Sequence, residues 1–129
     1  MSKGKRLTST VTSESTVQLS IEEFEIPTPE ADEVLVAVEA SPINPSDLGL
    51  LLAGAGESTA SKTESGLVLS LPDGAVEALT GRLDQAMPVG NEGAGIVIDA
   101  GNGEETQALK GQVVATLAGG MYATHRIVK

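Results

Sequence analysis

Three groupings in this sequence carry residue types suited to chemistry. They are Asn44-Pro45-Ser46-Asp47, the run Gly90-Asn91-Glu92-Gly93-Ala94-Gly95, and a C-terminal stretch holding the only tyrosine, Tyr122, and the only histidine, His125. In the first grouping Asn is a favoured helix N-cap, Pro suits the first helical position, and an acid in the first turn complements the helix dipole. Asn44 therefore reads as a cap. A cap uses only the side-chain oxygen, which leaves the two amide hydrogens of Asn44 free to donate to a ligand, so both roles stay open. In the second grouping the glycines at 90, 93 and 95 do not follow the G-x-G-x-x-G spacing of a dinucleotide fingerprint, and the run precedes a strand instead of joining a strand to a helix. Gly93 and Gly95 are expected to permit close backbone packing or a positive φ. His125 has no histidine, cysteine or second carboxylate at ligand spacing and reads as a strand residue. The acids Glu22, Glu23, Glu25, Glu30, Asp32 and Glu33 lack EF-hand spacing and read as a solvated face.

The elements that position these groups are constrained by composition. A chain of 129 residues, 40% hydrophobic, supports one domain with a real core. Phe24 and Tyr122 are its only aromatic residues, so the core must be built from Val, Leu, Ile and Ala, which favours β structure. A net charge of −10 repels phosphate backbones and anionic lipid, so nucleic acid and membrane surfaces are not expected partners. Without cysteine there is no disulfide framework and no thiolate metal site. Leu7 to Leu19 is rich in Ser and Thr where a signal peptide needs an apolar stretch, and no apolar run approaches the roughly 20 residues that span a bilayer. A soluble, cytoplasmic protein is expected.

Val17, Leu19 and Ile21 begin a β-prone stretch that ends at Ile26, before the Pro27 and Pro29 break. Glu33 to Ser41 is the clearest strand, with Val34, Val36 and Val38 on one side and Leu35, Ala37 and Glu39 on the other. Leu48 to Ala53 reads as a short helix stopped by Gly54 and Gly56, and Glu57 to Gly66 as a polar loop. Asp73 and Gly74 open a second short helix through Leu79. Gly95 to Ile98, Gln112 to Leu117 and Met121 to Val128 read as strands, the last two separated by a Gly119-Gly120 turn. Short strands with one or two short helices predict a mainly β fold, a small irregular barrel.

In order, the segments EVLVAVEASPINPSDLGLL, PVGNEGAGIVIDAG and KGQVVATLAGGMYATHRIVK resemble the medium-chain dehydrogenase/reductase family, in its quinone-oxidoreductase-like and enoyl-reductase-like branch. The resemblance runs from Glu33 to Lys129. It implies a GroES-like irregular β-barrel, the N-terminal catalytic domain of the alcohol dehydrogenase-like fold, with residues 1–129 as the substrate-side domain and the Rossmann nucleotide-binding domain absent from this chain. In the zinc-dependent branch a cysteine and a histidine stand where this sequence has Asn44 and Asn91. Amides replace thiolate and imidazole poorly as zinc ligands, so no zinc is expected. The segment from Gly56 to Ala86 is long for the family and is a candidate to remodel the site.

The resemblance further implies hydride transfer from NADPH or NADH to a small-molecule substrate, a quinone, enone or enoyl compound, by an enzyme that is a homo-oligomer when complete. Asn44 matches the polar position beside nicotinamide and substrate, a catalytic and cofactor-binding role. Asp47 and Glu92 match recurrent positions near the catalytic centre, Asp47 first of all as a capping partner and Glu92 as a holder of neighbouring loops. Tyr122 falls where the family carries a residue near the cofactor, or else is a half-buried strand aromatic. The isolated chain is expected to be inactive, because the nucleotide would be bound mainly by the missing domain. The alternative is a non-enzymatic GroES-like binding module or co-chaperonin relative, for which the N-P-S-D and G-N-E-G-A-G segments have no evident use.

Overall fold

The alternating valines of Glu33 to Ser41 form a central strand with a partner on each side. In the computed structural model, which describes residues 2–129, this is β3 (Val34–Ala40). It pairs antiparallel with β7 (Glu92–Ala100) on one side and β9 (His125–Val128) on the other, and β8 (Val113–Leu117) pairs with the far edge of β7. The four-stranded order is β8-β7-β3-β9. These strands belong to the first of two compact units, which comprises the segment ending at Arg6, Glu23–Pro42 and Gly90–Lys129.

The core of that unit is Val34, Val36, Val97 and Ala100, with Val38, Val114 and Val128 packed on it. Each fully buried valine contributes about 1.5 to 3 kcal/mol of hydrophobic stabilisation. Val34, Leu35 and Val36 are all buried, and exposure rises along the strand to Glu39 and Ala40 instead of alternating from residue to residue. Register shifts at Leu35/Val36 and Val38/Ala40 account for part of this, since a bulge turns successive side chains out of strict alternation. A short helix, α3 in chain order (Glu104–Ala108), joins β7 to β8; no periodicity announced it.

The second unit comprises Leu7–Glu22 and Ile43–Val89. Its strands form the sheet β4-β5-β2-β1-β6, from β1 (Lys3–Val11), β2 (Thr16–Glu25), β4 (Ser61–Lys62), β5 (Gly66–Ser70) and β6 (Met87–Pro88). The first residues of β1 and the last of β2 belong to the first unit, where Arg6 stacks on Phe24 at 5.1 Å from the ring centre. Val17 lies opposite Leu69 and Leu19 opposite Leu67, which builds a core of Val11, Val17, Leu19, Ala55, Leu69 and Leu71. Helices α1 (Pro45–Leu52) and α2 (Ala75–Ala78) complete the unit.

The protein is therefore mainly β with short helices. Its strands form two open antiparallel sheets and do not close into one ring; the edge strands β4 and β6 are two residues long, too short to carry pairing further. Two local expectations are corrected, and one strand is added to those expected. The polar stretch from Glu57 to Gly66 contains a 3-10 turn at Glu57–Thr59 and the strand β4, because Thr59 ties it down through bonds to Gly56 and Ser70. The Ser/Thr-rich start is strand β1, in which Thr8 and Ser9 are buried. Of Met121 to Val128, only His125–Val128 is extended ladder, since Gly120 at φ 77 turns the chain just before it.

Candidate functional site

Helix α1 begins as the Asn44-Pro45-Ser46-Asp47 pattern requires. Asn44 is the N-cap in extended conformation, Pro45 opens the helix, and a reciprocal capping box joins Asn44 to Asp47. The Asn44 backbone N–H donates to Asp47 Oδ2 at 2.9 Å, and the Asp47 N–H bonds the Asn44 carbonyl at 3.0 Å. Asp47 is 1% exposed, whereas Leu48 on the same turn is 41% exposed. A buried carboxylate must be hydrogen-bonded, and the cap supplies that. The positive end of the helix dipole is thus already occupied by the chain's own acid.

In the first unit, the G-N-E-G-A-G run enters β7. Gly90 has φ +103, and a Cβ there would meet the Tyr122 ring and backbone nitrogen at 2.7 Å. Gly93 and Gly95 have no positive φ; they permit close approach instead. A Cβ on Gly93 would meet Met121 Cε and Ser41 Oγ at 2.9 Å, and one on Gly95 would overlap the Ala37 carbonyl oxygen. The Tyr122 hydroxyl donates to the Pro42 carbonyl at 3.0 Å, and the Ser41 hydroxyl donates to the Met121 carbonyl at 2.9 Å. These bonds fix the segment after β3 against the turn before β9. Tyr122 is half-buried, at a bend and not within a strand.

Between the end of β3, the start of β7 and β8 lies an open groove of about 680 Å3, lined by Ser41, Pro42, Glu92, Gly93, Thr116 and Leu117 among others. That volume lies within the range of small-molecule sites. Its walls are mostly apolar, and Glu92 is the only charged residue lining it. The groove offers mostly apolar contact and one carboxylate. It does not fit a pyrophosphate, which needs backbone N–H groups or cations. No Lys or Arg lines it.

The sequence-predicted residues thus fall into two groups. Asn44 and Asp47 meet each other in the second unit; Glu92 lines the groove and Tyr122 anchors its Pro42 edge in the first. Ser41, Thr116 and Met121 were not singled out beforehand. Ser41 and Met121 act through main-chain contacts that no motif spacing signals, and Thr116 enters only through its pairing opposite Gly93. His125 Nδ1 lies 2.9 Å from the Thr124 hydroxyl. Among the described residues no group of three or more His, Cys, Asp or Glu side chains is placed to hold a metal ion, and no helix is long and apolar enough to cross a membrane.

No family model and no curated protein matches this chain. Among solved structures, the chain is similar over its whole length to a crystal structure from Mesorhizobium loti designated an NADPH:quinone reductase, with TM-score 0.58 and 18% sequence identity. It spans 35% of the length of that protein. A likeness at this identity establishes a shared fold.

Proposed function

We propose that this chain is the substrate-side, GroES-like domain of a zinc-independent oxidoreductase that uses NADPH or NADH to reduce a quinone, enone or enoyl compound. The observation that carries the reading is the fold match over the whole chain to part of a protein designated an NADPH:quinone reductase. The groove agrees with it: apolar walls suit a planar acceptor, and the absence of cations from its lining leaves the nucleotide's phosphates to another domain. When bound, the nicotinamide supplies the hydride.

This chain's residues then bind and orient. Apolar contact along Pro42 and Leu117 desolvates the acceptor ring, and Glu92 disfavours anionic competitors. For Asn44, whose backbone N–H is engaged at the cap, the family resemblance implies a separate role as amide donor to a carbonyl that gains negative charge as it is reduced. Asp47 holds that cap. The experiment is to supply a nucleotide-binding domain, fused after Lys129, and follow NADPH oxidation with a panel of quinones and enones. Acceptor-dependent oxidation that falls on Asn44→Ala supports the proposal. A fusion that is folded and binds NADPH yet oxidises it with no acceptor overturns the oxidoreductase reading.

A further inference from the structure

An α-helix leaves its last four carbonyls without partners inside the helix, and in α1 these are Gly49, Leu50, Leu51 and Leu52. All four are satisfied. Gly49 accepts from the Ala53 N–H at 3.1 Å and Leu52 from the Ala55 N–H at 2.8 Å, both local. The other two are met from far away in sequence. Leu50 accepts from Arg82 Nη1 at 2.9 Å, and Leu51 accepts from the Ser9 hydroxyl at 2.7 Å. Arg82 Nη2 in turn donates to Ser9 Oγ at 3.0 Å and lies 3.3 Å from the Ser9 carbonyl. One guanidinium and one hydroxyl therefore lock the end of α1 to β1.

At eight residues, with Gly49 inside, α1 is too short to be stable alone. Its first turn is exposed apart from Asp47, and only Leu51 and Leu52 near its end pack on the hydrophobic core. Arg82 itself is firmly held. It closes a 3-10 turn, Thr80–Arg82, and just beyond it Leu83 bridges to Val11 while the Asp84 N–H donates to the Val11 carbonyl at 2.7 Å. Its cation also stands at the negative end of the helix dipole, where the helix sequence provides no basic residue of its own.

From this geometry we infer that Arg82 is a positioning residue: with Ser9 it sets the axis of α1, and through that helix the placement of the Asn44 cap. The segment from Gly56 to Ala86 then braces α1 at its C-terminal end. The functional weight of this inference rests on the role proposed for Asn44, but the bracing is testable without turnover.

The test compares Arg82→Met, Arg82→Lys and Ser9→Ala in the full 129-residue chain by NMR. Amide exchange is read at Ala53 and Ala55, and resonance positions at the Asn44 side-chain amide and the Asp47 N–H. Arg82→Met is expected to speed exchange at Ala53 by about tenfold relative to β7, the loss of one charge-assisted bond, and to displace the Asn44 and Asp47 signals. Arg82→Lys, which keeps a cation able to reach Leu50, is expected to restore those signals in part. A folded Arg82→Met chain with Asn44 and Asp47 signals unmoved overturns the inference. If Arg82→Met fails to fold, Ser9→Ala decides by the same signals. None of these readouts depends on NADPH, so failure of the proposed activity would leave this result standing, and the reverse.

Discussion

Asn44 and Asp47 hold each other: the backbone N–H of the first donates to the carboxylate of the second at 2.9 Å, at the one end of α1 that exposes its side chains. Within the pair the Asp47 carboxylate serves the cap, so loss of either side chain is felt at the start of α1. Asp47→Ala is expected to destabilise the chain by about 1 to 3 kcal/mol, a lost cap plus a buried donor left unpaired. Asn44→Ala is expected to cost only about 1 kcal/mol. Urea denaturation with a common slope for all three chains measures both; equal losses would mean that the carboxylate does not anchor the turn.

Gly90 and Gly95 are expected to fail for different reasons when changed to alanine. At Gly90 the positive φ and the Tyr122 backbone nitrogen both oppose a Cβ, so Gly90→Ala is expected to lose roughly 2 kcal/mol and to shift the Tyr122 ring signals. At Gly95 the obstacle is the Ala37 carbonyl across the β3–β7 ladder, and Gly95→Ala is expected to lose roughly 3 kcal/mol and expose amides of β3 to exchange. Thermal melts and amide exchange distinguish the two, since the first disturbs a turn and the second a central strand pair.

How far these features were legible beforehand depends on how local their causes are. The strand at Val34–Ala40 and the cap at Asn44 follow from periodicity and side-chain chemistry within a few residues, and both are present. Strand β1 was hidden because its buried positions include Thr8 and Ser9, polar residues whose burial makes sense only once the bonds to Ser20 and Leu51 exist. Strand β5 begins where the polar stretch ends, and its short apolar run, Leu67 to Leu69, gains its meaning only from a pairing partner some fifty residues back. The Arg82 brace was illegible for the same reason. Nothing near Arg82 in sequence calls for a cation; the need arises at Leu50, in another element.

Asn44 and Asn91 stand where resemblance to the zinc-dependent enzymes would place cysteine and histidine, and neither amide matches the thiolate or imidazole that zinc prefers. The purified chain is expected to carry no stoichiometric zinc after dialysis, by elemental analysis. Chelator is also expected to leave the melting temperature unchanged, because a structural metal would make stability depend on it. One zinc retained per chain, with a melting point lowered by chelator, would overturn this expectation.

The isolated chain is expected neither to reduce quinones nor to bind NADPH more tightly than about 1 mM. Hydride transfer needs the nicotinamide held within reacting distance of the acceptor, and that placement supplies much of the rate. The groove in the first unit has no cation in its lining, its one charged residue is the acid Glu92, and the chain carries a net charge of −10, so an anionic dinucleotide meets repulsion. The remaining anion seat a fold of this kind offers, a helix N-terminus, is closed at α1 by Asp47 and further reduced by Pro45, which has no N–H to donate. A neutral acceptor faces neither obstacle. Calorimetric titration with NADPH and, separately, with an uncharged quinone should therefore give no resolvable heat for the first and weak saturable heat for the second. Glu92→Gln removes the charged side of the groove and is expected to leave quinone binding unchanged. Micromolar NADPH affinity with turnover in the isolated chain would place the nucleotide site on these residues and refute the division of labour between acceptor and nucleotide domains.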